Sequence, residues 1–221
     1  MAALRQLHAA KQRKYVMLAI IDYDAGNIKS VEKAVQYLGE EVVLTDREEE
    51  LLSADRVILP GVGSFGAAME SLRRNGLDKV IRKVVENNTP FLGICLGMQM
   101  LFDESEESPG VEGLHLLPGK ILRIPETPGL KIPHMGWNSL HFPKETRLFA
   151  GLPENTYTYF VHSYYLQADD PDVVAAVTDY GTELQVAVEY GNIFGCQFHP
   201  EKSSKDGLAI LRNFLNVKKE G

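Results

Sequence analysis

A doubly wound α/β fold is the architecture this sequence predicts: a largely parallel central sheet with flanking helices and an antiparallel extension. Two observations carry it. In the first hundred residues, short apolar runs of strand length alternate with segments of helical period. Such strands must be buried on both faces, which requires helices above and below a parallel sheet. From about Gly119 to Phe198 the pattern changes to short alternating runs punctuated by turn residues, as antiparallel strands require.

Met17 to Asp22 is a continuous apolar run and predicts the first strand. In the segment Asn27 to Leu38, the residues Ile28, Val31, Val35 and Leu38 share a helical face, and Gly39 ends it. Glu41 to Thr45 and Arg56 to Leu59 predict two further strands, the latter broken by Pro60-Gly61-Val62-Gly63. Helices are expected over Phe65 to Arg74 and Leu77 to Asn87. Thr89-Pro90 then opens the strand that leads to Cys95. In the second half, Lys120 to Ile124, Thr158 to Val161 and Val173 to Val177 read as strands, with turns at Tyr180-Gly181 and Tyr190-Gly191. They are expected to continue the same sheet. A final amphipathic helix is expected over Asp206 to Val217, capped by Asp206 or Ser204.

Residues 1–16 stand apart. They carry Arg5, Lys11, Arg13 and Lys14 and no acid, which fits a transit peptide or an upstream extension equally. The expected single domain spans residues 17–217. A net charge of −7 argues against a nucleic-acid partner, which selects a basic face. No apolar run reaches the roughly 18–20 residues that span a bilayer. With two cysteines, Cys95 and Cys196, the chain is no disulfide scaffold, and a reducing, cytoplasmic compartment is expected. The six histidines are scattered and neither cysteine has a CxxC partner, so no metal site and no cofactor is expected.

The chemistry centres on Phe91-Leu92-Gly93-Ile94-Cys95-Leu96-Gly97-Met98-Gln99. An apolar run followed by Gly-x-Cys-x-Gly is a nucleophile elbow with cysteine in place of serine. The glycines allow a sharp strand-to-helix turn, and the turn presents the sulfur at a helix N-terminus, whose dipole favours a thiolate. A thiol nucleophile needs a base, and the base needs an orienting group. His199 ends the apolar run Ile193 to Phe198, and Glu201 follows two positions on. In extended backbone those two side chains point the same way, so the carboxylate reaches the ring. Cys196, within that run, reads as a small buried hydrophobe. The backbone N–H of Leu96 and the glycine-rich loop Gly61-Val62-Gly63 are the expected oxyanion donors. Taken singly, each of these segments also has a plain structural reading, as a turn or a buried thiol.

Together, the segments around Cys95 and His199-Pro200-Glu201 resemble the class I (triad) glutamine amidotransferases. Three more segments narrow the resemblance: Leu59 to Gly66, Pro133-His134-Met135-Gly136-Trp137-Asn138, and Tyr159-Phe160-Val161-His162-Ser163-Tyr164. They are similar to the glutaminase subunits of imidazole glycerol phosphate synthases, over about Met17 to Asn216. The resemblance implies hydrolysis of the glutamine side-chain amide, with Cys95, His199 and Glu201 as the triad. It implies substrate contacts at Gln99, Glu107, His162, Ser163 and Tyr164. It also implies a partner, the (β/α)8-barrel cyclase subunit, which uses the ammonia to make imidazole glycerol phosphate and aminoimidazole carboxamide ribonucleotide in histidine biosynthesis. Asn27, Met135, Trp137 and Lys202 match positions that face this partner. The Trp137 segment, following a proline, reads as a surface loop. The competing readings are the glutaminase subunits of anthranilate synthase or pyridoxal phosphate synthase, a non-catalytic protein on the same scaffold, and a cysteine peptidase.

Overall fold

The structure, a computed structural model, describes residues 17–24 and 28–219. The segment 1–16 and Asn27 lie outside the described residues. The first half comprises β1 (Leu18–Ile21), α1 (Ile28–Tyr37), β2 (Val42–Thr45), α2 (Glu48–Ser53), β3 (Arg56–Gly61), α3 (Phe65–Arg74), α4 (Leu77–Glu86), β4 (Phe91–Cys95) and the single turn α5 (Leu96–Gln99). The second half adds β5 (Glu104–Ser105), β6 (Gly119–Arg123), β7 (His134–Leu140), β8 (Thr156–His162), β9 (Tyr164–Ala168), β10 (Val174–Asp179), β11 (Glu183–Tyr190), β12 (Ile193–Cys196) and α6 (Ser204–Asn216).

Most strands join one sheet in the order β2-β1-β3-β4-β12-β11-β9-β6-β5, with β10 also paired to β11. From β2 to β12 every pairing is parallel. Beyond β12, the pairs β12–β11, β11–β9 and β9–β6 are antiparallel, and β6–β5 at the edge is parallel. The fold class read from the sequence is therefore the one observed.

The period of two decides which side chain meets which helix layer. Leu18, Ile20, Ile58, Leu92 and Ile94 pack with Val31 and Val35 of α1 and with Leu211 and Phe214 of α6. Ala19, Ile21, Val57, Leu59 and Phe91 pack with Met69 and Leu72 of α3 and with Ile81 and Val84 of α4. Each fully buried Leu or Ile in these layers contributes about 1.5–3 kcal/mol of transfer free energy.

Four local expectations need correction. First, β3 does not break at Pro60: it continues to Gly61, with Pro60 opposite Ile94 and Gly61 opposite Cys95. Pairing with β1 ends at Ile58, so beyond it only the β4 edge of β3 is engaged, and Pro60 lacks no bond on the other edge. Second, α2 is a helix that the sequence pattern did not suggest. Its six residues include three consecutive acids and are too short for a helical period to register. Third, β7 and β8 do not extend the main sheet: they form a separate two-stranded ribbon, and the stretch expected to be a loop is strand β7. Fourth, α6 starts at Ser204, and neither Asp206 nor Ser204 is its cap: Ser203 holds that position. The Ser203 hydroxyl instead donates to the His199 carbonyl at 2.6 Å and accepts from the Tyr159 N–H at 2.9 Å.

The elbow after β4 packs directly on β3. A Cβ on Gly97 would stand 1.9 Å from the Leu59 carbonyl oxygen, and one on Gly93 would stand 2.6 Å from the Gly97 oxygen. Neither neighbour is a flexible side chain. Gly97→Ala is therefore expected to destabilise the protein by about 3 kcal/mol, the upper end of overpacking costs. A denaturant titration showing an unchanged midpoint contradicts this packing.

Candidate active site

Cys95 sits at the point where β4 turns into α5, with φ 55° and ψ −112°. A non-glycine residue in this region costs of order 1–3 kcal/mol, and it persists here because Gly93, Gly97 and β3 fix the turn on both sides. The helix that follows is one turn long, shorter than the sequence implied, so its dipole is small.

His199 arrives from the carboxyl end of β12, next to β4 in the sheet. Its Nδ1 lies 2.8 Å from Glu201 Oε1, and both side chains are almost wholly buried. The sequence reading assumed extended backbone between them. Instead, Pro200 to Lys202 form a 3-10 turn, which brings the carboxylate back under the ring. The carboxylate only accepts, so Nδ1 carries a proton and Nε2 is left for the sulfur. Burial pulls the imidazole toward its neutral form. The hydrogen bonds to Cys95 and Glu201 and their charges outweigh burial, and the His199 pKa rises to about 9. At neutral pH the ring is thus an imidazolium held between the sulfur and a carboxylate.

These groups open onto a cavity of about 290 Å³. Its wall includes Cys95, Leu96 and His199, with Val62 and Gly63 across from them. Gln99, Glu107, His162, Ser163 and Tyr164 also line the cavity. Sequence-predicted residues from five separate segments are thereby brought to one rim. Gly61 lies just behind it, where a Cβ would be 2.7 Å from the Gly97 N. Gly63 has φ 98°, a conformation that favours glycine. Tyr23, at the end of β1, donates its hydroxyl to the Pro60 carbonyl at 2.9 Å and so anchors the start of this loop.

Glu107 is not a solvated member of an acidic run. Its Oε2 accepts from the Phe65 N–H at 2.7 Å, at the first turn of α3, while Ser108 Oγ accepts from Gly66 N–H at 3.0 Å. Its neighbours are also engaged: Asp103 with Gly119 N–H and His115, and Glu104 with Lys120.

His162 leads into a feature that the sequence reading missed. Its Nδ1 donates to the Tyr164 carbonyl at 2.8 Å, which leaves Nε2 as an acceptor, and His134 Nδ1 donates to it at 2.9 Å. Asn138 Nδ2 lies 3.4 Å from the remaining ring nitrogen of His134 and 2.8 Å from the Asp179 carbonyl. Burial lowers both pKa values, to about 4 for His134 and about 3 for His162. The neutral His162 thus stands beside the charged His199, with the neutral His134 behind it. Gln197 is the second residue missed. Fully buried, it directs its Nε2 at Cys95 Sγ from 3.7 Å. A polar residue two positions before His199 in an apolar run was its signal, since both point to the same side. Cys196, between the layers, is a buried thiol whose pKa burial raises, as expected for a packing residue.

On the other surface of the ribbon, Met135 and Trp137 are exposed, at 62% and 52%. Trp137 is paired with Tyr159, and their rings meet edge to face. Lys202 is exposed on the adjacent 3-10 turn. Among the described residues, no group of three or more His, Cys, Asp or Glu side chains is arranged to hold a metal ion, and no helix is long and apolar enough to cross a membrane.

The family model "Glutamine amidotransferase class-I" matches residues 19–217. The chain is 52% identical to the imidazole glycerol phosphate synthase subunit HisH of Moorella thermoacetica, over 89% of this chain and 93% of that one. It is 48% identical to the subunit of the same name from Methanocaldococcus jannaschii, over 91% and 100%. Among solved structures, one described as a glutamine amidotransferase superposes with a TM-score of 0.70 at 23% identity, covering 89% of this chain and 96% of that one. A second, a GMP synthase subunit from Thermoplasma acidophilum described as tentative in function, gives 0.69 at 22% identity, covering 92% and 94%. These two neighbours share the fold.

The raised His199 value carries a stability consequence. The unfolded imidazole titrates near 6.5 and the folded one near 9, so the contribution is complete below about pH 6.5 and is lost as pH rises through about 9. In Glu201→Gln the anion behind the ring is gone and this contribution shrinks. Urea midpoints compared at about pH 6 and about pH 10 are expected to fall more for the wild type than for Glu201→Gln; equal falls refute the assignment.

Proposed function

The chain belongs to the class-I glutamine amidotransferases, and from that premise we propose that it is the glutaminase subunit of an imidazole glycerol phosphate synthase. The observation that carries this reading is the convergence of Cys95, of His199 backed by Glu201, and of Val62 and Gly63 on one cavity rim. The high identity to proteins named as subunits of that synthase supplies the pathway. Residues 17–217 are read as one domain, which the family match over 19–217 supports.

In the proposed reaction, Cys95 Sγ attacks the side-chain amide carbon of glutamine. The oxygen becomes an oxyanion, held by the N–H of Leu96 and by the Gly61 to Gly63 backbone. His199, already protonated, delivers its proton to the leaving nitrogen through Nε2, and ammonia departs. A γ-glutamyl thioester remains. Water then attacks it, His199 takes the proton of that water, and glutamate leaves as the C–S bond breaks. Glu201 keeps Nδ1 protonated through both half-reactions. Glu107, with Gln99 and the His162-Ser163-Tyr164 segment, is assigned to the α-ammonium and α-carboxylate of the substrate. The cavity volume suits a molecule of that size better than a peptide.

The word subunit in the relatives' names implies a partner. We assign this partner to a (β/α)8-barrel cyclase that consumes the ammonia to form imidazole glycerol phosphate and aminoimidazole carboxamide ribonucleotide. Met135, Trp137 and Lys202 are the proposed contacts. Two exposed large apolar side chains on one strand, beside a cation, are the kind of anchor that interfaces use.

Two outcomes test the reading. Cys95→Ala, assembled with the cyclase, is expected to lose glutamine-dependent synthesis by at least about 1000-fold and to keep synthesis from added ammonium salts. Loss of both activities contradicts the nucleophile assignment. Trp137 is the only tryptophan of the chain. Its fluorescence is expected to shift to the blue as the cyclase is titrated in, and an unaltered spectrum at saturating cyclase rejects this face as the interface.

A further inference from the structure

We propose that Gln197 belongs to the catalytic site as a second hydrogen-bond donor to the Cys95 sulfur, with its side-chain amide held in the donating orientation by Gln99. The inference rests on the reading of Cys95 as nucleophile.

The orientation follows from the bonding around the two amides. Gln99 Nε2 lies 2.9 Å from Gln197 Oε1 and 3.3 Å from the Tyr164 carbonyl oxygen. A carbonyl oxygen only accepts, so Gln99 Nε2 is the donating end, and its two hydrogens serve both partners. Gln197 must then present its oxygen to Gln99 and its N–H to the sulfur, 3.7 Å away. Flipping it would set two NH2 groups against each other and point a carbonyl dipole at the sulfur. Its backbone N–H donates to Val186 O at 2.8 Å, and the residue is buried in the wall of the same cavity, where little bulk water competes for the bond.

Donation to an ionised acceptor is stronger than to a neutral one, so this bond favours the anionic sulfur that attacks. His199 supplies the same service as a cation, but it gives its proton away during the reaction. Gln197 is neutral and keeps its hydrogens throughout. It therefore holds the sulfur in place while the charge on the ring changes. Gln99 acts through Gln197 and is, on this account, a positioning residue as well as part of the cavity wall.

The sulfur can be read without glutamine. Alkylation by iodoacetamide, followed on the full chain in its complex, reports the anionic sulfur of Cys95, because Cys196 is fully buried. The titratable groups facing the sulfur are His199 with Glu201 behind it, Tyr23 and Cys196. Burial raises both Tyr23 and Cys196, so neither titrates between about pH 6 and about pH 9.

In Gln197→Met the donor is removed at similar volume. The alkylation rate at about pH 6 is expected to fall about tenfold, while the plateau rate at high pH stays within about twofold. Gln197→Glu keeps the oxygen that Gln99 needs and sets an anion beside the sulfur, so its rate at about pH 6 falls further. That variant preserves shape and keeps the test decisive where Gln197→Met folds poorly. Glutaminase kcat is expected to fall about tenfold in Gln197→Met with KM changed by less than about threefold. Rates at about pH 6 equal to wild type in both variants overturn the proposal. A wild-type complex without glutaminase activity overturns the functional reading instead, whatever the alkylation rates.

Discussion

How closely the elbow can press against β3 determines where the sulfur stands. The Leu59 carbonyl oxygen occupies the space that any side chain at position 97 would need, and the Gly97 carbonyl does the same for position 93. With these two contacts made, Cys95 takes a positive φ of 55°. The strain at Cys95 is thus sustained by packing elsewhere, in layers where most side chains are completely buried. The loop beyond Gly61 inherits its position from the same contact, because Gly61 is opposite Cys95 in the register. Cys95 and the loop are therefore set by the same last rung of one strand pairing.

Around that fixed point the site separates charge with burial. His199 has two acceptors, the sulfur and Glu201, and keeps its proton. His162 and His134 lie nearby with no carboxylate against either ring. Each gives its one proton to a neighbour in a single direction, ending on the Tyr164 carbonyl. The same residue type thus fills opposite electrical roles within one wall, and the difference comes from the partner of Nδ1. The Tyr164 carbonyl also accepts from Gln99, so this segment is held from both the ribbon and the elbow.

Much of this was legible in the chain. The parallel half was, because buried strands and two-faced helices write their period directly into the apolar pattern. The elbow was legible because glycine is forced at 93 and 97, and the triad because its members sit at strand ends. What escaped was set by contacts between segments distant in sequence. Pro60 looked like a strand breaker, and only the early end of the β1 pairing makes it harmless. The α2 helix had too few turns to show a period. Strand β7 was hidden by Pro133 and by Gly136, although the alternation of His134, Met135, Gly136 and Trp137 was present. Ser203 was passed over as a cap because its hydroxyl serves the tertiary structure, tying Tyr159 to His199. Gln197 was absorbed into its apolar surroundings.

The ribbon has a property of its own. In β7 and β8, His134 faces His162 across the strands while Met135 and Trp137 project to the opposite side. Side chains alternate, so a slip of one residue in this pairing would turn the histidines out to solvent and fold the two large apolar groups inward. The ribbon pairs outside the central sheet, yet it is tied to β10 through His141, Ser139 and Asn138 and to the His199 N–H through the Tyr159 carbonyl, so such an error would pull on both. A mis-registered molecule would keep its parallel half and the elbow, yet lose the His134–His162 contact and the exposed pair Met135 and Trp137. For this chain, correct folding and competent folding are separate attainments, and only the second is recorded in the ribbon.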